Sequence, residues 1–395
     1  MPITTKLLKR QILDGVRATD TVAPRCPHAQ ECGGCAVQDR RYQAQLAVKR
    51  AALEQIWREA LPLGLPGPLE LLASPSAYEY RTRMDYVASR QRFGLRHSGR
   101  FNHIIDLVEC HLIPPAAFRA ARAAYTRARE LGLPDYDVKR HEGFLRYIVV
   151  RRSPDDQLML AAVASSRENV EQMEQVAAHA LEQPGVVSFY WLLNDKLTDL
   201  SMGEPLRHWG AETLPMRVGA RTLRIGPNTF FQNNIHLLLP LLDDVAAQVG
   251  PAGSVADLYG GVGTIALHLA DRVGRIDCVE EVGESVVLAR VNIAENGAAN
   301  VSATEAPTLS YLRDQPAGAF EVVVVDPPRV GLGPEVCREL LRLRPARIVY
   351  VSCNPLTQAA DASILLEGYR LTALRGYDMF PHTPHMEALG VFEVK

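Results

Sequence analysis

Ser254-Val-Ala-Asp-Leu-Tyr-Gly-Gly-Val-Gly263 decides how the C-terminal half of this 395-residue chain folds. Residues 254–258 read as a short buried strand, 260–263 as a tight turn and 264–271 as the start of a helix. The same alternation continues outward. Residues 276–279 form a second strand followed by a helical stretch over 285–296, and the apolar runs 320–325 and 347–351 suit strands covered on both faces. This pattern predicts an α/β fold with an open, doubly wound, Rossmann-like sheet, whose ligands bind beyond the carboxyl ends of the strands. The glycine loop, Asp326 and Cys353 all fall at such ends.

Ahead of this sheet, 78–90, 145–152, 158–164 and 186–194 read as strands of a separate α+β domain. The expected organisation is a short N-terminal extension over 1–25, an α+β RNA-binding domain over 26–220 and a catalytic domain over 221–395. Residues 1–25 are too few for an added β-barrel. With 47% hydrophobic and 22% charged residues, the chain can bury the cores that two domains require.

The net charge of -2 hides a split. Before Gly226 the chain carries 31 Lys+Arg against 25 Asp+Glu, a net +6, and from Gly226 onward 12 against 20, a net -8. The N-terminal part is therefore the expected polyanion-binding surface. No run approaches the roughly 18 apolar residues of a membrane span, and 1–15 lacks the apolar block of a signal peptide. A cytoplasmic protein with no membrane association is expected, and a monomer.

The glycines at 260, 261 and 263 let backbone approach a ligand, and Glu280 closes the second strand where a carboxylate can accept ribose hydroxyls. A tight turn without a ligand and a nicotinamide site both remain open for this loop. However, the glycines do not fit G-x-G-x-x-G, and Asp257 with Glu280 better suits the sulfonium and amino acid group of S-adenosylmethionine. Asp326-Pro-Pro-Arg329 follows four valines, so the carboxylate emerges from a buried strand aimed at a planar group. Such a tetrapeptide could also serve an amino-group methyltransferase.

Val351-Ser-Cys-Asn-Pro355 distinguishes these options. Uracil C5 is a poor nucleophile, but thiolate addition at C6 makes C5 an enolate carbon able to take a methyl group. The C5 proton must then leave so that the cysteine can be eliminated. Cys353 supplies the thiol and Glu387 of His385-Met-Glu387 the base, with Asp326 and Gln232 holding the pyrimidine edge. A lone buried cysteine is more often inert; three motifs in order argue against that here. A catalytically inactive RNA-folding or ribosome-assembly factor is the reading from a different class.

Tyr80-Arg-Thr-Arg-Met-Asp-Tyr86 is the best nucleic-acid candidate. Alternation puts Arg81 and Arg83 on one strand face, with Arg96 following in the same basic stretch, so that arginines can meet phosphates while aromatics stack on bases. A solvated arginine-rich hairpin is the plainer alternative. Arg146 and Arg151 could extend the surface.

Asp257-Leu-Tyr-Gly-Gly-Val-Gly263, Phe230-Phe-Gln-Asn-Asn234, Asp326-Pro-Pro-Arg329, Val351-Ser-Cys-Asn-Pro355 and His385-Met-Glu387 together resemble the motif set of the RNA uridine-C5 (5-methyluridine) methyltransferase family. The resemblance implies a class I S-adenosylmethionine-dependent methyltransferase domain. It also implies Cys353 as nucleophile, Glu387 as proton acceptor, and Gln232, Tyr259, Gly261, Glu280 and Asp326 at the cofactor. Two positions depart from the family pattern. The segment Ser302-Ala-Thr-Glu-Ala-Pro307 leaves Glu305 as a substitute for the usual adenine contact, and Glu387-Ala-Leu389 replaces the commoner Glu-Thr-Val. Cys26, Cys32, Cys35 and Cys110 resemble the [4Fe-4S] ligands of the ribosomal RNA branch. A four-cysteine zinc site is the competing assignment. The cluster cysteines and the short N-terminus imply 23S rRNA as partner, with tRNA as the alternative.

Overall fold

The computed structural model describes residues 4–61 and 64–395. Residues 1–3 of the expected N-terminal extension lie outside the described residues. The chain begins with α1 (Thr5–Arg17) and α2 (Tyr42–Ala60), then β1 (Glu70–Leu72). In α1, Leu8, Ile12 and Val16 recur every fourth position and form a buried stripe. Gly15 lets α1 approach α2 closely, since a Cβ there would lie 3.0 Å from Val48.

A seven-stranded sheet follows, ordered β4-β3-β2-β5-β6-β7-β8, from β2 (Arg83–Ser89), β3 (Arg92–His97), β4 (Arg100–Asp106), β5 (Leu145–Arg152), β6 (Leu158–Ala164), β7 (Val186–Leu193) and β8 (Glu204–Gly210). It is antiparallel except at β6 and β7, which are parallel across the helical connection α4 (Val170–Leu181). Helix α3 (Pro115–Glu130) packs beside α4 and together they close one face. The expected strand over 78–90 is shorter: ladder pairing starts at Arg83. Glu79 has a left-handed φ of 54°, and Arg81 bridges to Asn234 while Thr82 N–H donates to the Asn233 carbonyl. Those two residues bind the Gln232 segment, while the Thr82 carbonyl still accepts from Arg152 N–H of β5 at 2.8 Å.

After the hairpin β9 (Leu214–Val218) and β10 (Arg221–Ile225) comes the second large sheet. Its elements are α5 (Leu238–Val249), β11 (Ala252–Leu258), α6 (Thr264–Leu269), β12 (Val273–Glu280), α7 (Gly283–Glu295), β13 (Val301–Glu305), α8 (Thr308–Arg313), β14 (Val322–Val325), α9 (Gly333–Leu343), β15 (Arg347–Ser352), α10 (Pro355–Leu365), β16 (Tyr369–Tyr377) and β17 (Glu387–Val394). The order is β1-β16-β17-β15-β14-β11-β12-β13. Strands β11 to β15 are parallel, and β17 inserts antiparallel between β15 and β16. Val322–Val325 is buried throughout because helices cover both faces, so the run needs no polar alternation. Order reverses between β11 and β14, and a crevice opens there at the carboxyl edge.

Strand β1 pairs in parallel with β16, and α2 packs against α10. Tyr42–Ala60 and Glu70–Leu72 thus join the C-terminal sheet, and α1 packs with them. Among the described residues no helix is long and apolar enough to cross a membrane.

Candidate active site

Three strand ends build the site. Ser352 pairs with Ala388 at the end of the antiparallel β15–β17 ladder, and Cys353 and Glu387 lie immediately beyond that pair, with the Glu387 charge acting on the thiol. Val325 pairs with Tyr350, so Asp326 leaves β14 beside them. Asn354 is the N-cap of α10 with Pro355 at its first turn, which ends the strand sharply and leaves the Cys353 side chain at the crevice.

Burial governs the electrostatics. It pushes the Cys353 thiol up to about 12, with the charges of Glu387 and Asp326 adding to it, while the Arg329 guanidinium hydrogen-bonds the sulfur and acts in the opposite direction. Glu387 is buried and pushed well above the carboxylate range, by burial first and then by Asp326. One of its oxygens, Oε2, has no hydrogen-bond partner among the described residues. Asp326 is raised to about 7 by burial against a hydrogen bond from Gln232, although part of its surface stays open to the crevice. Gln232 Nε2 lies 3.0 Å from Asp326 Oδ2. The Gln232 carbonyl accepts from Thr82 Oγ1 at 3.0 Å, so the N-terminal sheet holds this segment in place.

The glycine loop has the openness a cofactor needs. A Cβ at Gly260 would lie 2.4 Å from Cys278 Sγ, which only glycine avoids. Gly261 has φ 55° and faces open space, and its N–H donates to Glu280 Oε2 at 3.0 Å. Val282 N–H donates to Glu280 Oε1 at 2.9 Å, which fixes the carboxylate while leaving further lone pairs. Asp257 accepts from Ala266 N–H at 3.0 Å; burial raises it to about 7, with Asp326 and Glu280 contributing. Gln232, Tyr259, Gly261 and Asp326 line one cavity together with Phe230, which is 63% exposed. Glu305 ends β13 opposite Glu280, at the outer rim.

Arg81, Arg83 and Arg96 line a groove of about 820 Å³ that reaches His385 beside Cys353. They are not free side chains. Arg83 binds Asp85 at 2.9 Å, Arg96 pairs with Asp199, and Arg81 is largely enclosed between the rings of Tyr80 and Phe380. The expectation that Arg146 and Arg151 extend this surface is wrong. Both are buried and saturate backbone carbonyls, Arg146 those of Asn194 and Lys196 and Arg151 that of Thr229 at 2.6 Å. A guanidinium can satisfy several carbonyls that would otherwise be orphaned, and that use is invisible in a strand pattern.

Sequence reasoning missed several contributors. Arg329 was read only as part of a motif, but it is the cation at the thiol. Phe101, 60% exposed, carries the Arg96 guanidinium 3.9 Å above its ring and offers a stacking surface in the groove. Lys49 and Asp378 form a fully buried pair at 2.5 Å, and Lys49 also donates to the His385 carbonyl at 2.9 Å. No local signal marks Lys49 in an ordinary amphipathic helix.

Cys26, Cys32, Cys35 and Cys110 are buried free thiols near enough to raise one another's pKa, after burial itself. Gly34 N–H points at Cys32 Sγ at 3.4 Å. Among the described residues no three His, Cys, Asp or Glu side chains converge as a metal-ion site.

The strand order, with an antiparallel last strand beside a parallel core, and the glycine loop at the switch point define an α/β methyltransferase. Comparison with known proteins narrows the class. Residues 208–395 match the family described as tRNA (Uracil-5-)-methyltransferase. A tRNA (uracil(54)-C(5))-methyltransferase of Pyrococcus abyssi is 33% identical over 370 residues, covering 93% of this chain and 85% of the relative. An uncharacterized RNA methyltransferase of Nitratidesulfovibrio vulgaris is 34% identical over 390 residues, covering 94% and 82%. The crystal structure of the P. abyssi enzyme with S-adenosyl-L-homocysteine superposes with a TM-score of 0.78 at 30% identity, covering 91% of this chain and 86% of that one. The chain belongs to the RNA uracil-C5 methyltransferase family and is an S-adenosylmethionine-dependent enzyme of that kind.

Proposed function

We propose that this protein methylates C5 of one uridine in 23S rRNA, acting as a cytoplasmic monomer with Cys353 as nucleophile and Glu387 as base. The observation that supports the roles is that Cys353 and Glu387 lie just past the Ser352–Ala388 pair that ends the β15–β17 ladder, close enough for the Glu387 charge to act on the thiol. S-adenosylmethionine, held by Tyr259, Gly261, Glu280 and Asp326, would supply an electrophilic methyl group. Arg329 favours the Cys353 thiolate, which adds to uracil C6. Gln232 and Asp326 present a paired amide and carboxyl to the pyrimidine edge. Glu387, a stronger base for being buried, takes the C5 proton as the carbon–sulfur bond breaks. RNA would approach along the groove holding Arg81, Arg83, Arg96 and Phe101, with the target base swung out of its stack.

The proposed division is an RNA-binding domain drawn from 26–220, which keeps a structural [4Fe-4S] cluster on Cys26, Cys32, Cys35 and Cys110, and a catalytic domain over 221–395 that also takes in α2 and β1 from within the expected 26–220 span. Support for the cluster is the four buried thiols drawn from two distant segments. A second substrate reading is favoured by the relatives named for uracil 54 of tRNA. Tritium release from RNA labelled at uracil C5 tests the chemistry. Mapping 5-methyluridine in rRNA and tRNA from cells lacking the gene separates the substrates; an unchanged 23S rRNA with a lost tRNA methyl group would overturn the rRNA assignment.

A further inference from the structure

Helix α1 crosses the mouth of the Cys353 cavity. Thr5, Leu8 and Lys9 line it together with Arg329, Cys353 and His385. Leu13 lines the neighbouring groove that carries Arg81, Arg83 and Arg96, and Pro384 and His385 are shared by both spaces. Thr5, Lys9 and Leu13 recur at four-residue intervals and so form one face of α1 directed at this continuous path. The adjacent face, Leu8, Ile12 and Val16, is buried and anchors the helix, and Thr4 Oγ1 caps it by accepting from Leu7 N–H at 3.3 Å.

The charges on this face are arranged unusually. Arg10, on the outer side of the helix, pairs with Asp14. Lys9 and Arg329 form no salt bridge to a carboxylate among the described residues, although both look into the same cavity. Burial and the Arg329 charge lower the Lys9 pKa, and the Cys353 sulfur acts in the other direction. His385, between them, is held neutral, its pKa lowered to about 3 by burial and then by Lys9 and Arg329. Two unpaired cations at the entrance of a site that must admit one nucleotide are relieved by an anion of that nucleotide.

We propose that Lys9, carried on α1 across the mouth of the Cys353 cavity, clamps a phosphate flanking the uridine that is methylated. This rests on the RNA methylation reading above. The cavity that holds Cys353 is walled on one side by α1 and on another by the 384–386 segment. A lysine four residues into an anchored helix holds its ammonium there before RNA arrives, and no base-specific contact is required of it. Arg329 stays at the thiol, and Lys9 at the backbone.

The test compares wild type with Lys9→Ala, Lys9→Arg and Lys6→Ala, the last an exposed lysine on the same helix. Two measurements are made on each: equilibrium binding of a substrate RNA across a salt series, and tritium release from the same RNA labelled at uracil C5. Lys9→Ala should weaken RNA binding about tenfold and reduce the salt slope by about 0.7 to 0.9, the share of one phosphate contact. Its KM should rise more than its kcat falls. Lys9→Arg should recover most of both, and Lys6→Ala should match wild type. Thermal melts report whether α1 remains docked. An unchanged salt slope and KM in a folded Lys9→Ala protein overturns the clamp while wild-type turnover keeps the methylation reading intact. Slower alkylation of Cys353 by iodoacetamide in RNA-free Lys9→Ala, with RNA binding unchanged, overturns it too, because Lys9 would then serve the thiol. Wild-type protein that binds RNA and releases no tritium sinks the methylation reading, and the salt slopes still decide whether Lys9 holds a phosphate.

Discussion

Cys353 and Glu387 flank the end of one antiparallel ladder: Ser352 of β15 pairs with Ala388 of β17, Cys353 follows the one and Glu387 precedes the other, and the Glu387 charge reaches the Cys353 thiol. Strand β17 runs opposite to β15, so it begins at the carboxyl edge and delivers its first residue, Glu387, where the nucleophile emerges.

Burial first, and then this juxtaposition, make the thiol hard to ionise. With its pKa raised to about 12, Cys353 is protonated at neutral pH, so alkylation by iodoacetamide should quicken about tenfold per pH unit above neutrality until the protein unfolds. Arg329→Met removes a cation that lowers it and should slow alkylation several-fold at fixed pH. An alkylation rate independent of pH would contradict a buried, burdened thiol.

Removal of the C5 proton should be separable from its methylation. Glu387→Gln is expected to accumulate a covalent RNA–protein species, visible as a shifted band on a denaturing gel, because the Cys353 adduct cannot eliminate. Cys353→Ala should retain cofactor binding by calorimetry and give no adduct and no methyl transfer. An adduct that persists in Cys353→Ala would assign the nucleophile elsewhere.

Lys49 and Asp378 bury both charges completely, and Lys49 also holds the Phe380 and His385 carbonyls. Lys49→Met leaves Asp378 charged and unpaired, which should cost about 3–5 kcal/mol in chemical denaturation. Adding Asp378→Leu should recover much of that loss. Activity should not return with it, because the segment leading into Glu387 has lost its strut.

Asp257 and Asp326, both raised to about 7, give cofactor binding a defined pH dependence. A cationic sulfonium favours the ionised carboxylates, so affinity for S-adenosylmethionine should rise from about pH 6 to about pH 8 and then level off. Affinity for S-adenosylhomocysteine, which lacks that charge, should vary less. Folding stability of the ligand-free protein has the opposite sign. Each group binds its proton more tightly when folded, so its stabilising share is full below about pH 4 and is lost as pH climbs through about 7. Asp257→Asn should flatten that decline in thermal melts taken across the range.

Anaerobically purified protein should be brown and carry iron and acid-labile sulfide in equal amounts. Cys32→Ser or Cys110→Ser should bleach it, and the melting temperature should fall, because the cluster would tie two segments separated in sequence by β2, β3 and β4. Colourless protein containing one zinc per chain would replace the cluster with a zinc site.

The sequence by itself determined the motif set and the parallel core, because a glycine loop, a run of four valines and a strand-ending cysteine each report on their own few neighbours. Alternation puts Arg81 and Arg83 on one strand face, yet ladder pairing starts only at Arg83, although both side chains line one groove. Tertiary structure alone decided what those side chains do. Arg81 and Thr82 brace the Gln232 segment, Arg146 and Arg151 turn inward to orphaned carbonyls, and Phe101 turns outward beneath Arg96. The roles of Lys9, Lys49 and Arg329 depend on partners tens to hundreds of residues away. Alternation gives the face of a strand or helix on which a residue lies, whereas ionisation and pairing depend on what burial brings against that face, and burial is settled only when the sheets and helices pack.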